Sequence, residues 1–194
     1  MTLDDGLAQR KRHSASGNGA LLVVVHSGGP YWERMIVDET VLVALEHFGI
    51  PYRLLDLAEE RPEPEVLNRC AGILMAQNGL GECLSDSETG AIADAVRNGA
   101  GLVNFDYDLR YYKGPLLEIF GFERINPHPY ATNTMRIRES DHYITELQAA
   151  GEYHEFDRMV TAISVEKWCE GVVPLADGIL GKDQLIYRWI ICVI

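Results

Sequence analysis

The sequence predicts an α/β fold, three-layered, with a mostly parallel central sheet and helices on both faces. Three observations carry this reading. Ala20–Val25 is an unbroken apolar run, and a strand that does not alternate apolar with polar residues is buried on both faces, as in a parallel sheet. Strand-like and helix-like segments then alternate four times across residues 20–121, the order that builds right-handed strand–helix–strand crossovers. Glycine and proline punctuate the segments where such elements have to stop.

The elements follow in chain order. After the first strand, His26-Ser-Gly-Gly-Pro30 breaks the run. A helix is predicted over Arg34–Phe48, with Val37, Val41, Ala44, Leu45 and Phe48 on one face. Gly49 ends it and Pro51 prevents continuation. Tyr52–Leu57 reads as the second strand, and Glu63–Asn68 as a short helical turn. Ala71–Ala76 is the third strand, leaving through the glycine-rich Gln77–Gly81. Ser85-Asp-Ser-Glu88 is a capping box that opens a helix to about Asn98, with Leu84, Ile92, Ala95 and Val96 inward. Leu102–Phe105 is the fourth strand, and Pro115–Phe120 starts another helix. Val23, Leu74 and Val103 are expected side by side and nearly fully buried. Beyond residue 121, Met135–Arg138, Met159–Ile163, Val172–Leu175 and Leu185–Ile194 read as strands that extend the sheet or form an antiparallel edge.

Residues 1–19 are polar and read as a flexible N-terminal tail; residues 20–194 read as a single domain. The sequence stops inside the apolar run Ile186–Ile194. That suggests either one piece of a longer chain with neighbouring domains, or a strand buried at a homo-oligomer contact.

Composition narrows the function classes. There are 17 Lys and Arg against 29 Asp and Glu, a net charge of -12. Such a surface repels phosphate backbones, so neither nucleic acid nor an anionic membrane is an expected partner. The longest apolar runs have six residues, far short of the roughly 20 that a membrane helix needs. Cys70, Cys83, Cys169 and Cys192 are scattered without a CxxC pair, which fits free thiols in a reducing, cytoplasmic setting and argues against a zinc site. No HxH or HExxH pattern occurs among the six histidines. No metal and no cofactor is expected.

In an open α/β sheet, ligands bind beyond the carboxyl ends of the strands. That rule selects three loops. In the first, His26, Ser27, Gly28 and Gly29 form either a binding loop for a small polar ligand or a tight turn; it lacks the Lys-Ser/Thr of a phosphate loop and is not GxGxxG. In the second, Asn78 and Gly79 are candidate ligand contacts. Cys83, read as standing just ahead of a helix N-terminus, is a nucleophile with a lowered pKa or a thiol packed in a turn. In the third, Asp106, Tyr107 and Asp108 form either a cleft wall of carboxylates and aromatics, suited to hydroxyl-rich ligands, or a solvated loop. Asp106 falls where a nucleophile elbow would sit.

The order of these motifs has a counterpart. Leu21–Val25 with its Gly-Gly loop, Ile73–Ala76, the Ser-x-x-Glu helix Ser85–Asn98 and the passage Arg97-Asn-Gly-Ala-Gly-Leu-Val-Asn-Phe-Asp106 together resemble the class I glutamine amidotransferase-like superfamily. The resemblance is to its branch of ThuA-like proteins and β-galactosidase middle domains, over about residues 20–165. Asp141-His-Tyr-Ile-Thr145 followed by Phe156-Asp157 is similar to the His-Pro-Ile-Thr passage of that branch. The resemblance implies a flavodoxin-like strand order, 2-1-3-4. It departs where chemistry is concerned. The elbow reads Phe105-Asp106-Tyr107 in place of Gly-x-Cys-x-Gly, and the partner His-x-Glu is not recognisable. Without thiolate and base the usual covalent route to glutamine hydrolysis is closed. The expectation is a non-catalytic or diverged domain that binds a small polar ligand, such as a carbohydrate, or serves as an assembly module. The alternative is a diverged hydrolase using Asp106 or Cys83 with a histidine from the second half.

Overall fold

The computed structural model describes residues 19–179 and 186–187. The tail proposed for residues 1–19 lies outside them except for Gly19, as does Cys192. The chain divides into two compact units. One takes in residues up to Asp106 together with Tyr111–Leu116; the other holds Tyr107–Arg110 and the chain from Leu117 onward.

The first unit is built on four parallel strands, β1 (Leu21–Val25), β2 (Tyr52–Asp56), β3 (Gly72–Met75) and β4 (Gly101–Asn104), in the order β2-β1-β3-β4. This is the predicted 2-1-3-4 order. Central β1 pairs Val23 with Leu54 on one side and with Leu74 on the other. Val23, Val24 and Val25 are fully buried. Because alternate strand residues face opposite sides, that burial means both faces of β1 are covered.

One face carries a core of Val23, Val25, Leu74 and Ala76 packed with Val37, Leu42 and Leu45. The last three come from a continuous helical run: α1 (Tyr31–Ile36), a π-helical stretch Val37–Val41, and α2 (Leu42–His47). It starts at Tyr31, three residues earlier than the sequence suggests, because Pro30 supplies a fixed backbone turn immediately before it. The short α3 (Pro64–Leu67) and α4 (Leu80–Cys83) precede α5 (Asp86–Arg97). The capping box that opens α5 forms as predicted: Ser85 accepts from the Glu88 N–H while Glu88 accepts from the Ser85 N–H. α6 (Gly114–Ile119) follows.

Val103 corrects the core prediction. It pairs with Leu74 in register, yet it is 48% exposed. β4 is the outer strand of the four, and its exposure alternates along its length. An apolar run in an edge strand covers one face only.

The second unit holds an antiparallel sheet. Two 16-residue strands, β5 (Phe122–Ile137) and β6 (Tyr153–Trp168), pair with each other, and β7 (Ala176–Ile179) and β8 (Ile186–Tyr187) complete the order β6-β5-β7-β8. The segments Met135–Arg138 and Met159–Ile163 therefore belong to long strands of a separate sheet and do not extend the parallel one. Val172–Leu175 is not a strand; the strand lies just beyond it, in β7. Of the predicted run Leu185–Ile194, only Ile186 and Tyr187 are described. Asp177, almost fully buried, anchors this sheet by accepting from Arg136 at 2.8 Å. Among the described residues, no helix is long and apolar enough to cross a membrane.

Candidate functional site

The carboxyl ends of β1, β3 and β4 deliver three loop starts into the first unit, and hydrogen bonds tie them together. Gln77, two residues beyond β3, is only 2% exposed. Its Oε1 accepts from the His26 N–H and its Nε2 donates to the His26 carbonyl, both at 3.0 Å. One buried amide thus clamps the start of the β1 loop to the start of the β3 loop. Next in the chain, the Ser27 N–H donates to Asp56 Oδ1 at the end of β2, at 2.9 Å.

The Gly-Gly pair has a steric reason. The His26 imidazole folds back over it, so a Cβ on Gly28 would lie 3.1 Å from the ring's Cε1 and Nε2, and one on Gly29 would lie 3.1 Å from Gln77 Nε2. A side chain at either position would crowd the ring or the clamp.

That ring orientation brings His26 Nδ1 within 3.5 Å of Cys83 Sγ. The sequence reading paired Cys83 with a histidine of the second half; the partner found here comes from the first loop. His154 belongs to the second unit, where its Nε2 lies 3.8 Å from Glu152.

Cys83 itself differs from expectation. It closes α4 and does not stand at the mouth of α5, since Leu84 and the Ser85 cap intervene. Burial pushes its thiol pKa up, and the neighbouring carboxylates Glu82 and Asp106 add to that, outweighing Arg61. The predicted lowering is reversed, because the helix N-terminus meant to supply it lies elsewhere. The Cys83 carbonyl accepts from Arg61 Nη2 at 2.8 Å, and the Arg61 guanidinium also grips Glu88 of the capping box.

Asp106 is 2% exposed. Its Oδ2 accepts from the Tyr112 hydroxyl at 2.9 Å and from the Gly81 N–H at 3.3 Å. Asn104 brackets its backbone, donating to the Asp106 carbonyl and accepting from the Asp106 N–H. Burial, and then the Asp106 charge, drive the Tyr112 pKa well above its ordinary value. Tyr112 therefore remains a hydrogen-bond donor. Gly81 is tightly packed: a Cβ there would meet Tyr111 and Tyr112 at 3.1 Å.

Glu33 and Asn78 form a second polar pair. Burial raises the Glu33 pKa, and so does the charge of Asp106; donors from Trp32 and Asn78 only partly offset this. The Asn78 Oδ1 is buried without a hydrogen-bond partner among the described residues. Gly79 takes a left-handed φ of 84° ahead of α4, a conformation that glycine adopts at little cost. Asp56 has a lowered pKa: burial pushes it up, but the Ser27 and Ala58 donors and Arg34 more than compensate.

The structure therefore gathers His26, Ser27, Gly28, Gly29, Asn78, Gly79, Cys83 and Asp106 into the first unit. Tyr107 and Asp108 fall in the second unit, where Asp108 pairs with Arg110. Sequence reasoning missed Gln77 as a clamp, Arg61 as a brace and Glu33 as a neighbour of Asp106. Glu33 and Gln77 had a signal, their places in the first and second of the selected loops; Arg61 had none. Among the described residues, no group of three or more His, Cys, Asp or Glu is placed to hold a metal ion.

No protein-family model matches the chain. No curated protein matches it either. Two solved structures do. A ThuA-like protein from Bacteroides uniformis aligns over 84% of this chain and 69% of its own, with a TM-score of 0.56 and 14% identity. A glutamine amidotransferase from Methylobacillus flagellatus aligns over 84% of this chain and 62% of its own, with a TM-score of 0.46 and 14% identity. The likeness to the ThuA-like structure is one of fold.

Proposed function

We propose that this chain is an amidotransferase-like domain whose elbow carboxylate is a structural acceptor, and that it binds a small polar ligand at the joined loops of β1 and β3. One observation carries the reading. Asp106 stands where the resemblance puts the elbow cysteine, and it accepts the Gly81 N–H from the loop on the oxyanion side. A negative carboxylate already sits on a donor that a tetrahedral oxyanion would need. Acyl transfer from the elbow is therefore closed twice, by the absence of the thiol and by the filled donor.

The loops nonetheless offer groups to a ligand. Ser27, with its hydroxyl, and Gly28 are exposed in the loop after β1. Tyr31 and Trp32 are more than half exposed at the start of α1. Acceptors beside aromatic faces suit a neutral, hydroxyl-bearing molecule, carbohydrates among them. The three-layer arrangement, the single-domain organisation, a cytoplasmic setting and assembly with a second copy or with neighbouring domains belong to the same proposal.

The test is a two-dimensional amide NMR titration with a panel of small sugars, polyols and carboxylic acids. The reading predicts saturable shifts confined to Ser27–Gly29 and Asn78–Gly79. A panel that moves none of these amides, or only amides elsewhere, contradicts it.

A further inference from the structure

The pairing of Cys83 with His26 has no part in that ligand-binding reading, yet both residues are held with care. Gln77 fixes the His26 backbone through both ends of its amide. Gly28 and Gly29 leave the space into which the ring folds. Arg61 fixes the Cys83 carbonyl, and Glu88 of the α5 cap fixes Arg61. Two separate braces thus meet at a thiol and an imidazole 3.5 Å apart. Both residues are partly exposed, so a small reactant can reach them.

We propose that Cys83 and His26 form a nucleophile–base pair, distinct from the elbow, that accepts an acyl group from a small activated ester or thioester and passes it to water. In the tautomer with its proton on Nε2, His26 Nδ1 accepts the thiol proton as Sγ bonds to the acyl carbon. The bond from that carbon to the leaving group breaks, and the leaving group departs with the proton from Nδ1. The product is a thioester on Cys83. Water then adds to the thioester carbon and gives its proton to Nδ1. The carbon–sulfur bond breaks, sulfur recovers the proton, and a carboxylic acid leaves. The sum is ester plus water to acid plus alcohol, or to thiol for a thioester, with no oxidant or reductant.

The same geometry sets the substrate class. The Gly81 N–H is committed to Asp106, so this nearby donor is not offered to a developing oxyanion. Reaction then depends on a leaving group that departs easily, which favours activated esters and thioesters over amides. The thiol stays protonated until attack, since burial and nearby carboxylates raise its pKa. Base assistance from His26 is accordingly needed for a fast reaction.

The probe is p-nitrophenyl acetate, with p-nitrophenolate release followed by stopped flow and the acyl site mapped by mass spectrometry of the wild-type chain. The expected result is a burst of one p-nitrophenolate per chain, with the acetyl group on Cys83. Cys83→Ala abolishes the burst. His26→Gln keeps the thiol and lowers the acylation rate by about a hundredfold, the range for loss of a positioned base. An acetyl group mapped to Cys70, Cys169 or Cys192, or to lysines, with Cys83 unmodified overturns the proposal without any variant having to fold. So does a His26→Gln protein with a wild-type melting curve and an undiminished burst rate.

Discussion

Replacing Arg61 by Met removes a brace without opening the core, and the cost has a defined pH dependence. The Arg61 guanidinium holds Glu88 through both carboxylate oxygens. That bond is the leading cause of a Glu88 pKa lowered from 4.5 to about 2, with the Ser85 donors also contributing against a modest opposing effect of burial. At about 1.4 kcal/mol per pH unit, this fall sets a ceiling of about 3 kcal/mol. The Arg61 side chain is 45% exposed, and solvent screening reduces the figure to about 1–2 kcal/mol. Because the folded pKa is depressed, this stability is fully present above pH 4.5 and disappears as pH falls toward 2. Asp56, also depressed, adds acid sensitivity to both proteins alike. Urea unfolding followed by circular dichroism should therefore show Arg61→Met about 1–2 kcal/mol less stable at pH 7. The gap should narrow steadily below pH 4.5. A gap that stays constant from pH 7 to pH 2.5, or no gap at neutral pH, would mean that Arg61 does not stabilise the fold through the Glu88 carboxylate.

Three further outcomes are expected. Val23→Asp, at a fully buried position in central β1, should cost about 4 kcal/mol because the charge loses its water, whereas Val103→Asp on the exposed edge should cost under about 1 kcal/mol; comparable melts for the two variants would sink the strand assignment. Tyr112→Phe takes one donor from the buried Asp106 carboxylate and should lower stability by about 1–2 kcal/mol in the same urea assay, so a neutral effect would mean that Asp106 does not depend on the tyrosine. Gly28→Ala puts a Cβ 3.1 Å from His26 Cε1 and Nε2, and the ring has to give way slightly; unchanged His26 imidazole resonances in that variant would count against the folded-back ring.

Much of the fold was legible because it follows from local rules. The run Ala20–Val25 could only be satisfied by burial on both faces, and Ser85 with Glu88 announces its helix by chemistry contained in four residues. Val103 was not legible. Leu102-Val-Asn-Phe105 reads like any buried strand, and its edge position depends on β5 pairing in another sheet, a decision made far along the chain. The helix onset at Tyr31 slipped by three residues for a smaller reason: the apolar periodicity begins only at Val37, while the first turn is set by Pro30.

In the site, the glycines of the first loop pointed to a close approach, and one was found. What approaches them is a ring of the same loop, that of His26, together with Gln77, 51 residues beyond His26 in the chain. The Arg61 brace spans 22 residues to Cys83, and no periodicity encodes such a contact. Cys83 shows the same limit. Its distance from α5 along the chain is two residues, enough to move it from a helix dipole to a partly buried turn among carboxylates.

At the centre of the proposed function is Asp106 as an internal acceptor in place of an acyl-transfer nucleophile. Its most direct test is glutamine-dependent ammonia release by the wild-type chain, measured beside Cys83→Ala. The proposed function predicts no ammonia above the buffer rate from either protein, because it puts the Asp106 carboxylate at the elbow, and the Gly81 N–H is already bonded to that carboxylate. Ammonia release that saturates with glutamine and vanishes in Cys83→Ala would contradict it, and would place the true elbow at Cys83 on the third strand's loop.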